Sequence, residues 1–140
     1  IFDMLNPLKR ATSPDQAEKY RVEPYAVAAD IAGGEVHGGR GGWTWYTGAA
    51  AWTWRLGVEE ILGMKLRNGK LLINPSIPSQ WSGLSAVYRQ PNGSIKIIVE
   101  RRKDGPDVPS ELYIDGRAHP GMEVAFPQDG SQKEVQVRIA

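Results

Sequence analysis

The sequence predicts an α+β protein: a helical segment over residues 1–63, then a small antiparallel β-sandwich over residues 64–140. Three observations carry this expectation. Before Gly63 the apolar spacing is helical and the start signals are those of helices. Six glycines between Gly33 and Gly42 demand a loop inside that helical part. After Gly63 short alternating strands are separated by Gly, Pro and Asp turns, the pattern of a sandwich.

The first well-marked helix starts at Ser13-Pro14-Asp15-Gln16. Ser13 suits the N-cap, Pro14 the first helical position and Asp15 the positive first turn, while Gln16 is placed for a capping box. Pro24 then interrupts and pushes Glu23 towards an extended conformation. A second short helix is expected from Pro24 to about Ile31. The next runs from about Gly48 to Leu62 and stops at Gly63. Its Trp52, Trp54, Leu56, Val58, Ile61 and Leu62 spread around several faces, so it should be buried in a larger helical assembly. Trp52 and Trp54 are expected in a core. The chain opens inside an apolar phrase, Ile1 to Leu8, and reads as a piece of something longer.

In the second part, Arg67-Asn68-Gly69-Lys70 between Leu66 and Leu71 is a tight hairpin of the Asn-Gly type. Pro91-Asn92-Gly93 turns between strands at Leu84–Arg89 and Ser94–Glu100. Further strands are expected at Leu112–Asp115, Glu123–Phe126 and Glu134–Ile139, the last with Val135, Val137 and Ile139 in strict alternation.

Composition excludes several functions. A net charge of +1 gives no electrostatic reason for nucleic acid or an anionic membrane as partner. Arg40 among glycines is one arginine, not an arginine–glycine repeat. The absence of cysteine removes disulfides and thiolate chemistry. No apolar run approaches the roughly 20 residues of a membrane span, and no signal peptide is visible. His37 and His119 lack metal-ligand spacing, and no metal site is expected. There is no G-x-S-x-G elbow, the glycine tract fails the dinucleotide fingerprint, and Glu59-Glu60 cannot face one another on a helix. The Asn92-Gly93-Ser94 sequon sits in a turn and is read as chance.

One stretch remains, His37 to Trp54, with four of the five tryptophans and five of the sixteen glycines. A helix starting at Thr47-Gly48 offers unpaired backbone N–H groups to an anion, and Gly48 lets the anion approach. On generic physics alone the favoured reading of Thr47 is an ordinary cap, as for Ser13. Arg40 could neutralise an anion or serve as a plain surface arginine. Trp43, Trp45 and Tyr46 suit the C–H faces of a pyranose, with packing as the alternative. The ligand chemistry that fits is a sugar plus an anion.

Two phrases, Tyr20-Arg21-Val22-Glu23-Pro24-Tyr25-Ala26-Val27-Ala28-Ala29-Asp30 and Gly39-Arg40-Gly41-Gly42-Trp43-Thr44-Trp45-Tyr46-Thr47-Gly48, resemble the inverting phosphorylases of glycoside hydrolase family 94. Within that family the likeness is to the C-terminal end of the cyclic β-1,2-glucan synthase group. Leu5-Asn6-Pro7, Ile73-Asn74-Pro75, Ile77-Pro78 and Trp81 fit the same alignment. The resemblance implies the last helices of an (α/α)6 barrel followed by a jelly-roll-like sandwich. It implies that phosphate attacks the anomeric carbon of a β-glucoside while an aspartic acid protonates the leaving oxygen. Inorganic phosphate would be co-substrate, with no other cofactor. Thr47 and Gly48 map onto the phosphate contact; Arg40, Trp43, Trp45, Tyr46 and Glu23 are the implied sugar contacts. The general acid lies upstream of this chain, so no catalytic residue is assigned within it. Ala28 and Ala29 stand where disaccharide phosphorylases carry a sugar-touching glutamine, which favours a β-1,2-glucan. Thr-Gly-Ala-Ala-Ala-Trp replaces the more usual Thr-Gly-Ser-Ala-Gly-Trp and should leave the helix start intact. The implied partners are β-1,2-glucan and the upstream barrel, with no direct membrane insertion. The implied place is the cytoplasmic, soluble part of a bacterial inner-membrane enzyme. Two other readings stand beside this one: a carbohydrate-binding module, and a structural sandwich that braces the barrel or makes a homodimer contact.

Overall fold

The computed structural model describes residues 1–45, 47–103 and 108–140. The chain divides into two compact units, Ile1–Gly57 and Val58–Ala140. Among the described residues no helix is long and apolar enough to cross a membrane.

The first unit opens with α1 (Phe2–Leu5), a 3-10 turn at Pro7–Arg10 and α2 (Pro14–Tyr20). The start of α2 follows from its cap: Ser13 Oγ accepts from the Gln16 N–H at 3.3 Å, with Pro14 in the first turn. The Gln16 side chain does not reach back to the Ser13 amide as a capping box would. Its Oε1 accepts from the Thr12 hydroxyl instead. Arg21 ends the helix in the left-handed region at φ 58°, its N–H returned to the Ala17 carbonyl at 2.9 Å.

The helix expected over 24–31 is not there. Residues 23–26 make one turn, with the Ala26 N–H on the Glu23 carbonyl at 3.1 Å, and the chain then runs extended. It pairs with the far side of the glycine tract: Ala29 N–H to Trp43 O at 2.8 Å, Ala32 N–H to Arg40 O at 2.8 Å, and an antiparallel bridge Ile31–Gly41. Only the middle of the tract is a turn. Ala26, Ala28 and Ala29 favour a helix, but a segment this short gains little from that propensity, and pairing with a partner strand outweighs it. Gly41 and Gly42 serve close approach. A Cβ at Gly41 would strike Val22 and Tyr20, and one at Gly42 would strike the Asp30 carboxylate. The Gly41 N–H donates to the Tyr20 carbonyl at 2.9 Å, and the Tyr20 ring beneath is 1% exposed.

Helix α3 (Thr47–Arg55) follows, and the chain continues as a π-helical turn over Leu56–Ile61. The core expected around its tryptophans is absent: Trp52 is 70% exposed and Trp54 59%. Apolar spread around a helix signals that partners are wanted; here Trp52 meets the Arg55 guanidinium 5.5 Å from its ring centroid, and both indoles stay largely exposed.

The second unit holds two sheets over one core. β1 (Met64–Arg67), β2 (Lys70–Ile73) and β7 (Glu123–Ala125) form a three-stranded antiparallel sheet in the order β1-β2-β7. The other sheet has the order β3-β4-β8-β5-β6, from β3 (Gly83–Gln90), β4 (Gly93–Arg101), β8 (Gln132–Ile139), β5 (Glu111–Ile114) and β6 (Arg117–His119). Asn68 and Gly69 take φ 49° and 74°, the pair of positive angles a type I′ hairpin needs. Leu71, Ile73 and Val124 from one sheet meet Ile95, Ile97, Val99, Val135 and Val137 from the other in the buried core. Val58 and Leu62 pack against it.

The all-antiparallel expectation fails at one junction. β4 and β8 run parallel, with Ile97 opposite Val135 and Val99 opposite Val137. Alternation every second residue is the same for either direction, so direction has to come from the connection. The chain between them, which includes β5, β6 and β7, supplies the long crossover a parallel pair requires. β6, which lies outside the strands expected from alternation, turns back on β5 through Asp115 and Gly116 at φ 48° and 79°.

Candidate functional site

The residues singled out by sequence gather in the first unit, though not all in one place. Glu23 follows α2, held in its turn by the Ala26 N–H on its carbonyl. Trp45 lies 22 residues on, past the paired segment, and its indole Nε1 donates to Glu23 Oε1 at 3.1 Å. The ring of Tyr25 meets Trp45 edge-on, centroids 5.9 Å apart and planes at 65°. Tyr25 is 67% exposed and Trp45 68%. Trp43, also largely exposed, has its carbonyl tied into the ladder by Ala29. Glu23, Tyr25 and Trp45 thus form one aromatic–carboxylate cluster.

The electrostatics of the cluster follow from its donors. The Glu23 carboxyl is held below the usual carboxylate range by its own backbone N–H, then by the Trp45 indole and the Thr44 hydroxyl. The Tyr20 phenol behind the glycine strand is pushed up by burial, with the Ala28 amide and Arg10 pulling the other way.

Arg40 stands apart. It lines an open cleft of about 560 Å³ with Asp15, Glu18, Lys19, Arg21 and His37, and neither Glu23 nor Trp45 belongs to that cleft. Its carboxylates and cations are mixed. His119 sits on β6 in the other unit, far along the chain from His37. Among the described residues no three His, Asp or Glu side chains gather as a metal site.

Helix α3 starts at Thr47, and Gly48 is exposed, with nothing within 4 Å of the position a Cβ would take. The first-turn backbone at Gly48 is therefore open on the side a Cβ would take. Tyr46 and the Thr47 side chain lie outside the described residues. Tyr25 is the one contributor to the cluster that sequence reasoning did not single out. Its signal was its place directly after Pro24, two residues from Glu23.

Residues 1–63 match the family model described as the glycosyl hydrolase 94 superfamily, catalytic domain. Over 123 residues it is 51% identical to the cyclic beta-(1,2)-glucan synthase NdvB of Rhizobium meliloti (strain 1021), covering 86% of this chain and 4% of that protein. It is also 27% identical over 138 residues to the N,N'-diacetylchitobiose phosphorylase of Vibrio furnissii, covering 98% of this chain and 17% of the relative. The chain thus spans less than a fifth of either curated relative.

Proposed function

We propose that this chain is the C-terminal part of the phosphorylase-like module of a cyclic β-1,2-glucan synthase. Residues 1–63 would close an (α/α)6 barrel whose earlier helices cover Trp52 and Trp54, and residues 64–140 would form the bracing jelly-roll-like sandwich. The observation that carries the reading is the 51% identity to a cyclic β-1,2-glucan synthase, extending over 86% of the chain. The exposed junction at Gly48 supports the phosphate part of it.

In this reading Thr47 and Gly48 hold inorganic phosphate, the co-substrate, at the positive end of α3. Preorganised donors there would keep the anionic nucleophile in line with the bond it breaks. Trp43, Trp45, Tyr46, Arg40 and Glu23 flank the β-1,2-glucan. The general acid comes from upstream, so the 140 residues alone release no glucose 1-phosphate. The module would lie on the cytoplasmic side of the inner membrane, with no cofactor besides phosphate.

The test is made in the full-length synthase that contains this chain. A charge-assisted hydrogen bond contributes about 1.5–3 kcal/mol, so Thr47→Val should raise the phosphate KM roughly ten- to a hundredfold with little change in glucan affinity. An unchanged phosphate KM removes Thr47 from the site. The exposure of Tyr25, Trp43 and Trp45 favours a second reading, a carbohydrate-binding module without chemistry. Full-length protein that binds β-1,2-glucan yet shows no phosphate-dependent cleavage would decide for it.

A further inference from the structure

The five-stranded sheet ends on one side in β3, and that edge is bare. β3 pairs with β4 through eight consecutive positions, Gly83 to Gln90, with no bulge. Within the second unit no described strand lies on its other side. Alternate N–H and C=O groups along β3 therefore face outward, away from β4. Sheet edges are commonly protected by proline, by lysine or by a bulge that twists them away. β3 has none of these, and its one charge, Arg89, lies near the end. The opposite edge, β6, is three residues long and carries Arg117 and His119.

The side chains say what fits against it. Leu84 pairs with the buried Val99, so Leu84, Ala86 and Tyr88 share the core face, and Gly83, Ser85, Val87 and Arg89 the outer one. Glu100 stands in the outer row of Gly83, and Ser94 in that of Arg89. Arg89 and Glu100 are exposed, and neither side chain has a hydrogen-bond or ion-pair partner among the described residues. Their rows lie roughly 20 Å apart along the strand, too far for the two to meet within one copy. Gly83 stays bare because a Cβ there would strike the Val99 carbonyl. Opposite charges at the two ends of one strand match each other when a second copy of that strand is reversed against it.

We propose that β3 pairs antiparallel with β3 of a second copy of this chain, about a two-fold axis at Ala86. An axis between two residues would turn each core face towards solvent, so the axis falls on a residue. At Ala86 it sets Leu84 opposite Tyr88 of the second copy on the core face, and Arg89 opposite its Gly83 on the outer face. With no side chain at Gly83, the guanidinium passes over it to Glu100, one strand further in and roughly 10 Å from its own strand. The contact occurs twice. An axis at Val87 would instead set Arg89 opposite Ser85 and in the row of Ile98, leaving both charges unmatched. The proposal is independent of the glucan and phosphate readings above.

Sedimentation equilibrium of the 140-residue chain should show a monomer–dimer equilibrium, and charge reversal tests the register. Arg89→Glu alone, or Glu100→Arg alone, sets like charges against each other at both contacts. Each should raise the dimer Kd about four- to thirtyfold. Mixed one to one, the two variants should dimerise again, because each mixed pair then holds two contacts of opposite charge. The double variant should recover likewise. Both positions are exposed, and dispersed amide signals from β4 and β8 report that each variant is folded.

Hydrogen exchange gives a readout that general stickiness would not move. Alternate amides of β3 should gain protection as concentration rises, while those of β6 should not. Dimers that survive both reversals, or variants that fail to recover on mixing, would point to another face, such as that of the exposed Trp52 and Trp54, and overturn the proposal. A monomer at every concentration would do the same. So would β3 amides protected equally at all dilutions, since the edge would then be covered within one copy.

Discussion

Gly63 offers the sharpest test of how the second unit is held together. It follows the π-helical turn at φ 71°, and its carbonyl accepts from the Asn74 N–H at 2.8 Å. A Cβ there would press into the Asn74 carbonyl and the Pro75 nitrogen, which are backbone atoms and cannot swing aside. Gly69 shares the left-handed geometry, φ 74°, but a Cβ there meets nothing within 4 Å. The two glycines separate strain from collision. Gly69→Ala should cost about 1 kcal/mol, the left-handed strain less the reduced freedom of the unfolded chain. Gly63→Ala should add the penalty of overpacking, for a total of about 2–4 kcal/mol. In a unit of this size that separates melting temperatures by roughly 5–20 °C. Urea and thermal unfolding, followed through methyl signals of Ile97 and Val137, would measure it. Equal destabilisation by the two substitutions would refute the close approach of residues 63 and 74.

Other consequences can be checked in the same way. Trp52→Ala should leave the stability of the isolated chain within about 0.5 kcal/mol, because the residue is 70% exposed; a loss of about 3 kcal/mol would show that its ring is packed after all. Arg101 spreads its guanidinium over the carbonyls of Trp81, Ile77, Pro78 and Ala140. Arg101→Met keeps the stem but removes the donors. It should destabilise the second unit by about 1.5–3 kcal/mol and raise amide exchange at residues 77–82, with unchanged exchange there counting against the assignment.

Where local chemistry dictates the backbone, the sequence could be read. Asn68-Gly69 demands two positive φ angles, and the Ser13-Pro14 cap starts α2 wherever the rest of the chain goes. The alternation of Val135, Val137 and Ile139 marks a face, and that face is buried. What could not be read were choices made by distant partners. Residues 24–31 carry the helical propensity of three alanines over too short a stretch to sustain a helix, and they follow the strand that Gly41 and Gly42 allow to approach. The direction of β8 leaves no trace in its alternation. Asp115-Gly116 carries the same turn chemistry as Asn68-Gly69, yet the strand after it, Arg-Ala-His, has no apolar pattern to flag it. In the site, the sequence marked Glu23 and Trp45 separately. Their bond spans 22 residues and depends on a fold of the glycine tract that periodicity does not encode. Trp52 and Trp54 were misplaced because apolar spacing shows what a helix could bury, not what is at hand to bury it.

The order β3-β4-β8-β5-β6 has a bearing on how the second unit is made in the cell. Its middle row, β8, is the last of the sheet's five strands along the chain, and each of its pairings with β4 reaches back 38 residues. Until β8 emerges, β4 and β5 have no shared neighbour, and both wait with an open edge and an apolar face. A chain that stops before β8 would therefore leave two unjoined halves, exposed to chaperones and to each other, instead of a slightly shorter domain.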